Sequence, residues 1–167
     1  MRKKKSVNKL TLLGRSEARL PASPAAAKLE TFPNPSRRAY QIRFETADFT
    51  SLCPVTGQMD FAQITIEYTP AALCVESKSL KFYLASFRNV RAFNEAVTNR
   101  ILDDFVAACD PAEATVTAEF SARGGIALTV LATYPEPVGR DSVEPGARTG
   151  DSTESRPTNQ RPLRDGG

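Results

Sequence analysis

The sequence predicts an α+β domain in which two helices lie on one face of a four-stranded antiparallel sheet. Hydrophobic residues alternate with polar ones in four segments, which is typical of half-buried strands, and they recur at helical spacing in two segments between them. The predicted strands are residues 39–46, 61–68, 114–120 and 125–134, and the predicted helices are residues 77–89 and 93–109. The predicted order is therefore ββααββ.

Turn and capping residues separate these elements. Pro54 and Gly57 predict a turn between the first two strands, and the glycines of "SARGG", residues 121–125, permit a tight turn between the last two. Ser77 is predicted to cap the first helix. In the second helix an apolar stripe is predicted to face the core. It comprises Phe93, Val97, Ile101, Phe105 and Ala108.

The 167 residues predict one folded domain with tails. We interpret residues 1–36 as a partly disordered N-terminal arm and residues 37–136 as the folded domain. Residues 137–167 are rich in Pro, Gly, Ser, Thr and Arg and have almost no aliphatic side chains. Such a segment cannot bury enough apolar surface to offset the entropy of ordering, so we expect a disordered C-terminal tail.

The predicted sheet has open edges. Natural proteins protect such edges or pair them with another copy of the chain. We therefore expect a ring-like homo-oligomer.

Charge and hydropathy disfavour several classes of function. The formal charge of +3 is small, and beyond "RKKK" at residues 2–5 the basic residues form no dense run, which disfavours direct nucleic-acid binding. No segment has the roughly 18 to 20 consecutive apolar residues of a membrane span. No apolar stretch follows the N-terminal charges, as it would in a secretory signal. The expected compartment is the cytoplasm.

The chain contains no histidine. This removes Ser-His-Asp and Cys-His catalysis, zinc sites with histidine ligands, and a histidine general base. The three cysteines, Cys53, Cys74 and Cys109, are separated by long gaps that match neither a disulfide framework nor a metal-ligand spacing. We therefore expect free thiols and no metal site.

Cys53 is the candidate nucleophile. It precedes Pro54, which disfavours helical backbone at the cysteine, and the "PVTG" turn lets Asp60 return towards the sulfur. A carboxylate beside a thiol can take its proton during attack and hand it to the product side. A lone cysteine is more often a small buried hydrophobe, so the pair makes the case. A thiol-redox role is a rival, although no resolving cysteine lies nearby in sequence.

Charged residues near the predicted helix starts form a second candidate site. Glu76 stands at a strand-to-helix junction, and Lys78 and Lys81 follow on the helix. They form either a solvated helix face or a ligand site in which the acid accepts hydrogen bonds and the cations meet a phosphate. Glu95, in the first turn of the second helix, has the same two interpretations. Arg123 lies beside two glycines that could hold a phosphate or only shape a hairpin.

Four segments occur in one order and at spacings that resemble the single-domain NADPH-dependent 7-cyano-7-deazaguanine reductases. They are "SLCPVTGQMDFA", "VESKSLKFYLASFRN", "FNE" and "SARGGI", and the likeness covers about residues 10–134. The resemblance implies the tunnelling fold (T-fold) shared with GTP cyclohydrolase I, with active sites at subunit interfaces. It also implies a step in the biosynthesis of queuosine, a modified nucleoside of transfer RNA.

The resemblance further implies how a nitrile would be reduced. The sulfur of Cys53 attacks the nitrile carbon and forms a covalent thioimide, and Asp60 matches the family's proton donor. Two NADPH molecules then deliver hydrides in succession, and the product is 7-aminomethyl-7-deazaguanine. The cofactor site is not of the Rossmann kind, because no G-x-G-x-x-G fingerprint is present.

Further site residues follow from their positions in the matching motifs. Val75, Glu76 and Ser77 match the family's substrate-binding segment, and Glu95 matches its purine-anchoring glutamate. The weaker candidates for binding the NADPH phosphates are Lys78, Lys81 and Arg123.

The chain departs from the family pattern at Asn94. A histidine usually precedes the anchoring glutamate, and asparagine can hydrogen-bond a substrate but cannot relay a proton near neutral pH. We expect Asp60 and water to deliver the proton instead.

Two other functions on the same fold stay open. A pterin-binding cyclohydrolase relative would use a zinc site with histidine ligands, which this chain lacks. A nucleobase-binding oligomer without activity would account for Asn94, but not for the presence of both Cys53 and Asp60.

Overall fold

The computed structural model describes residue 11 and residues 19–136. The strands and helices, in chain order, are β1 (Thr31–Pro33), β2 (Ile42–Leu52), β3 (Met59–Thr69), β4 (Leu73–Val75), α1 (Ser77–Ala85), α2 (Asn94–Cys109), β5 (Glu113–Arg123) and β6 (Ile126–Tyr134), with 3₁₀ helices at Pro24–Ala26 and Ser86–Asn89. The predicted α+β class is confirmed, with an antiparallel sheet and two helices. Residues 1–10 and 12–18 of the arm predicted to be partly disordered lie outside the described residues, and so does the predicted disordered tail, residues 137–167.

The main sheet has the strand order β2-β3-β5-β6, and each neighbouring pair is antiparallel. Both helices cover one face of it, because a single cluster of buried side chains joins the inward positions of the strands to α1 and α2. Aromatic rings connect the layers: Tyr68 meets Phe105 edge-on at 4.9 Å, and Phe49 meets Phe87 at 5.5 Å between ring centroids. This packing fixes the helices relative to the strand ends.

Two short strands were not predicted. β1 lies in the segment interpreted as an arm and pairs with β4, so that Phe32 stands opposite Cys74. Three-residue strands are too short to show an alternating pattern. The pair ties the N-terminal segment to the start of α1, where the Glu76 N–H donates to the Glu30 carbonyl at 2.8 Å and the Glu30 N–H donates to Ser79 Oγ at 2.9 Å.

β2 and β3 are longer than predicted, and the extra length positions the candidate site. The register of the β2–β3 pair shifts between Thr46 and Phe49. Such an irregularity breaks the alternation of side chains, so the pattern hides the second half of β2. That half leads directly into Cys53.

The predicted stripe of α2 is correct in its middle and wrong at its two ends, since Ala108 is only half-buried and does not belong to the core cluster. Val97, Ile101 and Phe105 are buried, whereas Phe93 is 63% exposed. Phe93 has extended backbone (φ −68°, ψ 148°) and precedes the helix, so the helical period does not reach it. No helix within residues 19–136 has the length and apolar character needed to cross a membrane.

Candidate active site

Cys53 opens the hairpin turn between β2 and β3, which we call the nucleophile turn (residues 53–58). Its N–H donates to the Gln58 carbonyl at 2.8 Å, and its carbonyl accepts from the Gly57 N–H at 2.9 Å. Gly57 has a φ of +69°, a left-handed conformation that glycine adopts without strain. The turn therefore presents a partly exposed thiol at the end of the sheet.

Hydrogen bonds within this turn activate the sulfur. The Thr56 hydroxyl, then the backbone N–H groups of Thr56 and Val55, lower the pKa of the Cys53 thiol from its ordinary value to about 7, and the charge of Arg123 lowers it slightly further. Partial burial acts in the opposite direction. By contrast, burial raises the pKa of Cys109 to about 12. Because the thiolate is the nucleophilic form, Cys53 is the reactive thiol of this pair near neutral pH.

Asp60 stands beside this turn on β3, opposite Ser51 in the strand register. It is only 7% exposed. Nη2 of Arg123, from the end of β5, lies 2.9 Å from Asp60 Oδ1 and donates to the Met59 carbonyl at 2.5 Å. The register places Leu52 opposite Met59, so Cys53 and Asp60, which directly follow these two residues in the chain, lie at the same end of the sheet. Arg123, a weak candidate for a cofactor phosphate, thus has an internal carboxylate partner.

A backbone connection brings the start of α2 to the same end of the sheet. The Leu52 N–H donates to the Val90 carbonyl at 2.9 Å, and the Leu52 carbonyl accepts from the Ala92 N–H at 3.2 Å. Asn94 and Glu95 follow immediately as the first two residues of α2. Asn94 is half-buried and Glu95 is exposed.

Arg91 lies over the nucleophile turn. A Cβ atom built on Gly57 would be 2.9 Å from Nη2 of Arg91. Arg91 also forms an isolated parallel bridge with Leu52. A cation from the segment before α2 therefore covers the turn that carries the cysteine.

Glu76, predicted to bind substrate, caps α1. Its Oε1 accepts from the Lys78 N–H at 2.9 Å, and its Oε2 accepts from the Ser79 N–H at 2.8 Å. The predicted cap at Ser77 is therefore wrong by one residue, because the longer carboxylate of Glu76 satisfies two free amides of the first turn. Glu76 is 5% exposed, and Ser77 is exposed beside it.

The segment of Val75, Glu76 and Ser77 lies far from Cys53 within one chain. The Val75 N–H donates to the Tyr68 hydroxyl at 3.1 Å, which places the segment near the far end of β3. Tyr68 is eight residues along β3 from Asp60, which corresponds to about 26 Å of extended chain. Lys78 and Lys81 follow this segment on α1. The predicted site residues thus form two groups at opposite ends of the sheet.

Three residues near Cys53 were missed from the sequence. Ser51 lies in β2 two residues before Cys53, but the predicted strand stopped before it. Thr56 belongs to the "PVTG" turn, but the hydrogen bond from its hydroxyl to the sulfur of Cys53 depends on the folded conformation of that turn. Arg91 carried no signal, because only its backbone pairing with Leu52 places it over the turn.

Comparisons with known proteins supply the family. A family model described as "QueF-like protein" matches residues 59–138. A protein of Syntrophus aciditrophicus named NADPH-dependent 7-cyano-7-deazaguanine reductase is 53% identical over 132 residues, which cover 78% of this chain and 90% of that protein. A protein of the same name from Nitrosococcus oceani is 53% identical over 119 residues, which cover 71% of this chain and 92% of that protein. The chain belongs to the family of NADPH-dependent 7-cyano-7-deazaguanine reductases.

The family assignment confirms the resemblance stated from the sequence motifs, and with it an enzyme class of NADPH-dependent oxidoreductases. A solved structure titled "archaeosine synthase QueF-Like in the apo form" aligns with a TM-score of 0.52 and 22% sequence identity, and it covers 59% of this chain and 94% of that chain. This likeness concerns the fold alone, and it agrees with the tunnelling fold expected for a 7-cyano-7-deazaguanine reductase.

Proposed function

We propose that this chain reduces the nitrile of 7-cyano-7-deazaguanine to the primary amine of 7-aminomethyl-7-deazaguanine through a thioimide on Cys53. The observation that carries the proposal is the Cys53 thiol, whose pKa is lowered to about 7, beside the ion pair of Asp60 and Arg123. A nucleophile next to a buried carboxylate suits addition to a carbon–nitrogen triple bond, because the carbon takes the sulfur and the nitrogen needs a proton.

The chain's own residues account for the first step. The Cys53 sulfur forms a bond to the nitrile carbon, and one π bond of the nitrile breaks towards nitrogen. Asp60 delivers the proton that nitrogen requires, having received it from the thiol or from water. No oxidant or reductant is consumed, since the thioimide has the oxidation state of the nitrile. Arg123 holds the Asp60 carboxyl in place through the 2.9 Å contact.

NADPH supplies two hydrides in succession when it is bound. The sulfur of Cys53 keeps the half-reduced carbon in place between the two deliveries. Lys78 and Lys81 fit the cofactor phosphates, because they lie three residues apart near the start of α1, where cations and helix amides favour an anion. Arg123 is a further candidate only if the ion pair with Asp60 can be shared.

We propose that Glu95 anchors the purine through paired N–H groups and that Asn94 hydrogen-bonds beside it. The hydrogen bonds that join Leu52 to the segment directly before α2 support this role, because they bring the start of α2 to the end of the sheet where Cys53 lies. Asn94 cannot relay a proton, so the proposed proton carriers are Asp60 and water.

We also propose that Val75, Glu76 and Ser77 of a neighbouring subunit complete the site. The separation of this segment from Cys53 within one chain supports a composite site. Exposed apolar side chains around the Cys53 end support an interface there, since such surface usually marks a contact. They are Val55, Met59, Phe61, Phe93 and Ile126. A ring-like homo-oligomer with paired sheet edges would bring the two groups of residues together.

Mixed oligomers test the composite site. Cys53→Ala and Glu76→Gln should each be inactive alone, and co-refolding the two should restore part of the activity, because some interfaces then combine two intact halves. Co-refolded oligomers without activity would contradict a site shared between subunits. Sedimentation velocity of the wild-type chain gives the subunit number.

The proposed reaction places the chain in queuosine biosynthesis, acting on a small molecule in the cytoplasm before the base reaches transfer RNA. No direct contact with nucleic acid is required.

Intact mass of the purified protein mixed with 7-cyano-7-deazaguanine, without NADPH, tests the proposed function. We expect a substrate-sized adduct on the wild-type chain and none on Cys53→Ala. Cys74→Ala is the matched control, because Cys74 is buried and should not affect the adduct. Adding NADPH should then clear the adduct and release the amine.

A bound substrate without an adduct would contradict the reductase mechanism and favour a nucleobase-binding relative without activity. An adduct that persists in NADPH would support capture but contradict reduction.

A further inference from the structure

One buried oxygen near Cys53 has no hydrogen-bond partner. Ser51 is completely buried, and in the part of the chain that the structure describes its Oγ is the one buried side-chain oxygen or nitrogen without a partner. Burying a hydroxyl without a hydrogen bond costs free energy, and native proteins contain few such groups. An unpaired hydroxyl therefore needs a physical explanation.

The strand register places Ser51 directly opposite Asp60. Both side chains are buried, so they point to the same, helix-covered face of the sheet. Directly opposed residues of an antiparallel pair have Cβ atoms about 4.5 to 5.5 Å apart. A rotation of Ser51 between its staggered side-chain positions can therefore bring Oγ within hydrogen-bonding distance of the Asp60 carboxyl.

Asp60 has an oxygen to receive this bond. Arg123 holds Oδ1 at 2.9 Å, and Oδ2 has no hydrogen bond from another described residue. The Thr56 hydroxyl is the side-chain donor that lowers the pKa of Cys53. Thr56 thus serves the sulfur of Cys53, which leaves the Ser51 hydroxyl available as a donor to the Asp60 carboxyl.

We infer that Ser51 is a positioning residue whose hydroxyl donates to Asp60 Oδ2 when Asp60 passes its proton to the nitrile nitrogen. The inference rests on the proposed function. Handing over the proton leaves a carboxylate with a side chain only 8% exposed. A charge with so little contact with water needs hydrogen-bond donors, and Arg123 alone supplies only part of them. Ser51 supplies a second donor to this carboxylate at that step.

The test compares Ser51→Ala and Ser51→Thr with the wild-type chain in the rate of adduct formation, followed by intact mass. Thr50→Ala is the matched control, because it removes a hydroxyl from the neighbouring residue, whose side chain points to the opposite face of β2. We expect Ser51→Ala to form the adduct about tenfold more slowly, as for loss of a hydrogen bond to a charged group. Ser51→Thr and Thr50→Ala should form it at close to the wild-type rate.

Two further readouts separate positioning from a structural role. Alkylation of Cys53 by iodoacetamide should proceed at the wild-type rate in Ser51→Ala, because the thiol keeps its own donors. Thermal unfolding should be unchanged or occur at a higher temperature, since the variant removes a buried hydroxyl that is unpaired in the resting protein. The slower adduct formation should persist above pH 7, where Cys53 is already ionised.

Three outcomes would overturn the inference. Adduct formation by Ser51→Ala at the wild-type rate would show that the hydroxyl takes no part in the reaction. A rate of alkylation by iodoacetamide that falls as much as the rate of adduct formation would show that Ser51 only shapes the nucleophile turn. A wild-type chain that binds substrate without forming an adduct would overturn the proposed function, and Ser51 would then have no proton transfer to assist.

Discussion

Two hairpin turns meet at the Cys53 end of the sheet, and they are held in different ways. The nucleophile turn contains Gly57, and the turn between β5 and β6, which we call the arginine turn (residues 123–126), contains Gly124 and Gly125. All three glycines have positive φ. A Cβ on Gly57 would meet the Arg91 guanidinium, whereas a Cβ on either other glycine would meet nothing within 4 Å.

The difference shows two ways to fix a functional side chain. The nucleophile turn is fixed by its surroundings, since Leu52 bonds to the segment before α2 and Arg91 covers Gly57. The arginine turn stands in open space, and the Arg123 side chain is fixed by its own contacts with Asp60 and Met59. The first turn should therefore be sensitive to backbone changes, and the second to the loss of a single ion pair.

The largest effect on stability is expected from Arg123→Met. It leaves the buried Asp60 carboxylate without its cation, so the free energy of unfolding should fall by roughly 2 to 3 kcal/mol near neutral pH. Urea unfolding measures this value. Arg123→Lys is the control, because it keeps the charge and should lose less.

A double variant isolates the contribution of the interaction between Asp60 and Arg123 to the free energy of unfolding. Asp60→Asn combined with Arg123→Met should cost less than the sum of the two single changes, because no buried charge is left unpaired. Strict additivity would show that the contact between Arg123 and Asp60 contributes nothing.

A smaller effect, and a direct comparison of the turns, comes from Gly57→Ala beside Gly124→Ala. Both force alanine into the left-handed region, which costs about 1 to 2 kcal/mol. Gly57→Ala should cost more in urea unfolding, because Arg91 must also leave its place over the turn. In an Arg91→Ala background the two glycine variants should have equal effects. A difference that survives there would contradict the role given to Arg91.

The smallest effect on stability, but a clear one on reactivity, is expected from Thr56→Val. The Thr56 hydroxyl is the largest cause of the lowered Cys53 pKa, so its removal should raise that pKa above about 7. Iodoacetamide reacts with the thiolate, so its rate rises with pH through the pKa. The midpoint of this profile should move to higher pH in Thr56→Val. An unchanged midpoint would show that the backbone amides alone activate the sulfur.

Sequence patterns sufficed for the elements with long, regular periods. The inward residues Ile64 and Ile66 of β3 and Ile101 and Phe105 of α2 alternate or recur over enough positions to identify their elements, and they are buried as predicted. β1 was missed because three residues show no period. The cap at Glu76 was missed because the reach of a side chain depends on the folded backbone around it.

The candidate site followed the same division. Cys53, Asp60 and Glu95 could be proposed as site residues because their motifs are local or match a known family. Thr56 and Arg91 act through distances that only folding creates. The far position of Glu76 could not be foreseen either, because motif order along the chain gives no distance across a sheet.

The two hydrogen bonds between Leu52 and residues 90 and 92 set a distance within the candidate site. They fix the distance between the end of β2 and the start of α2. Cys53 directly follows β2, and Glu95, the proposed anchor of the purine, lies in the first turn of α2. Backbone geometry sets this length, so side-chain adjustment can do little to change it. A 7-deazaguanine whose nitrile stood one carbon further from the ring would keep every contact with Glu95, yet its nitrile carbon would lie beyond the sulfur. The enzyme would then bind such a compound without forming the thioimide. Discrimination by the ring-to-nitrile distance would therefore occur at the covalent step, after the purine has bound.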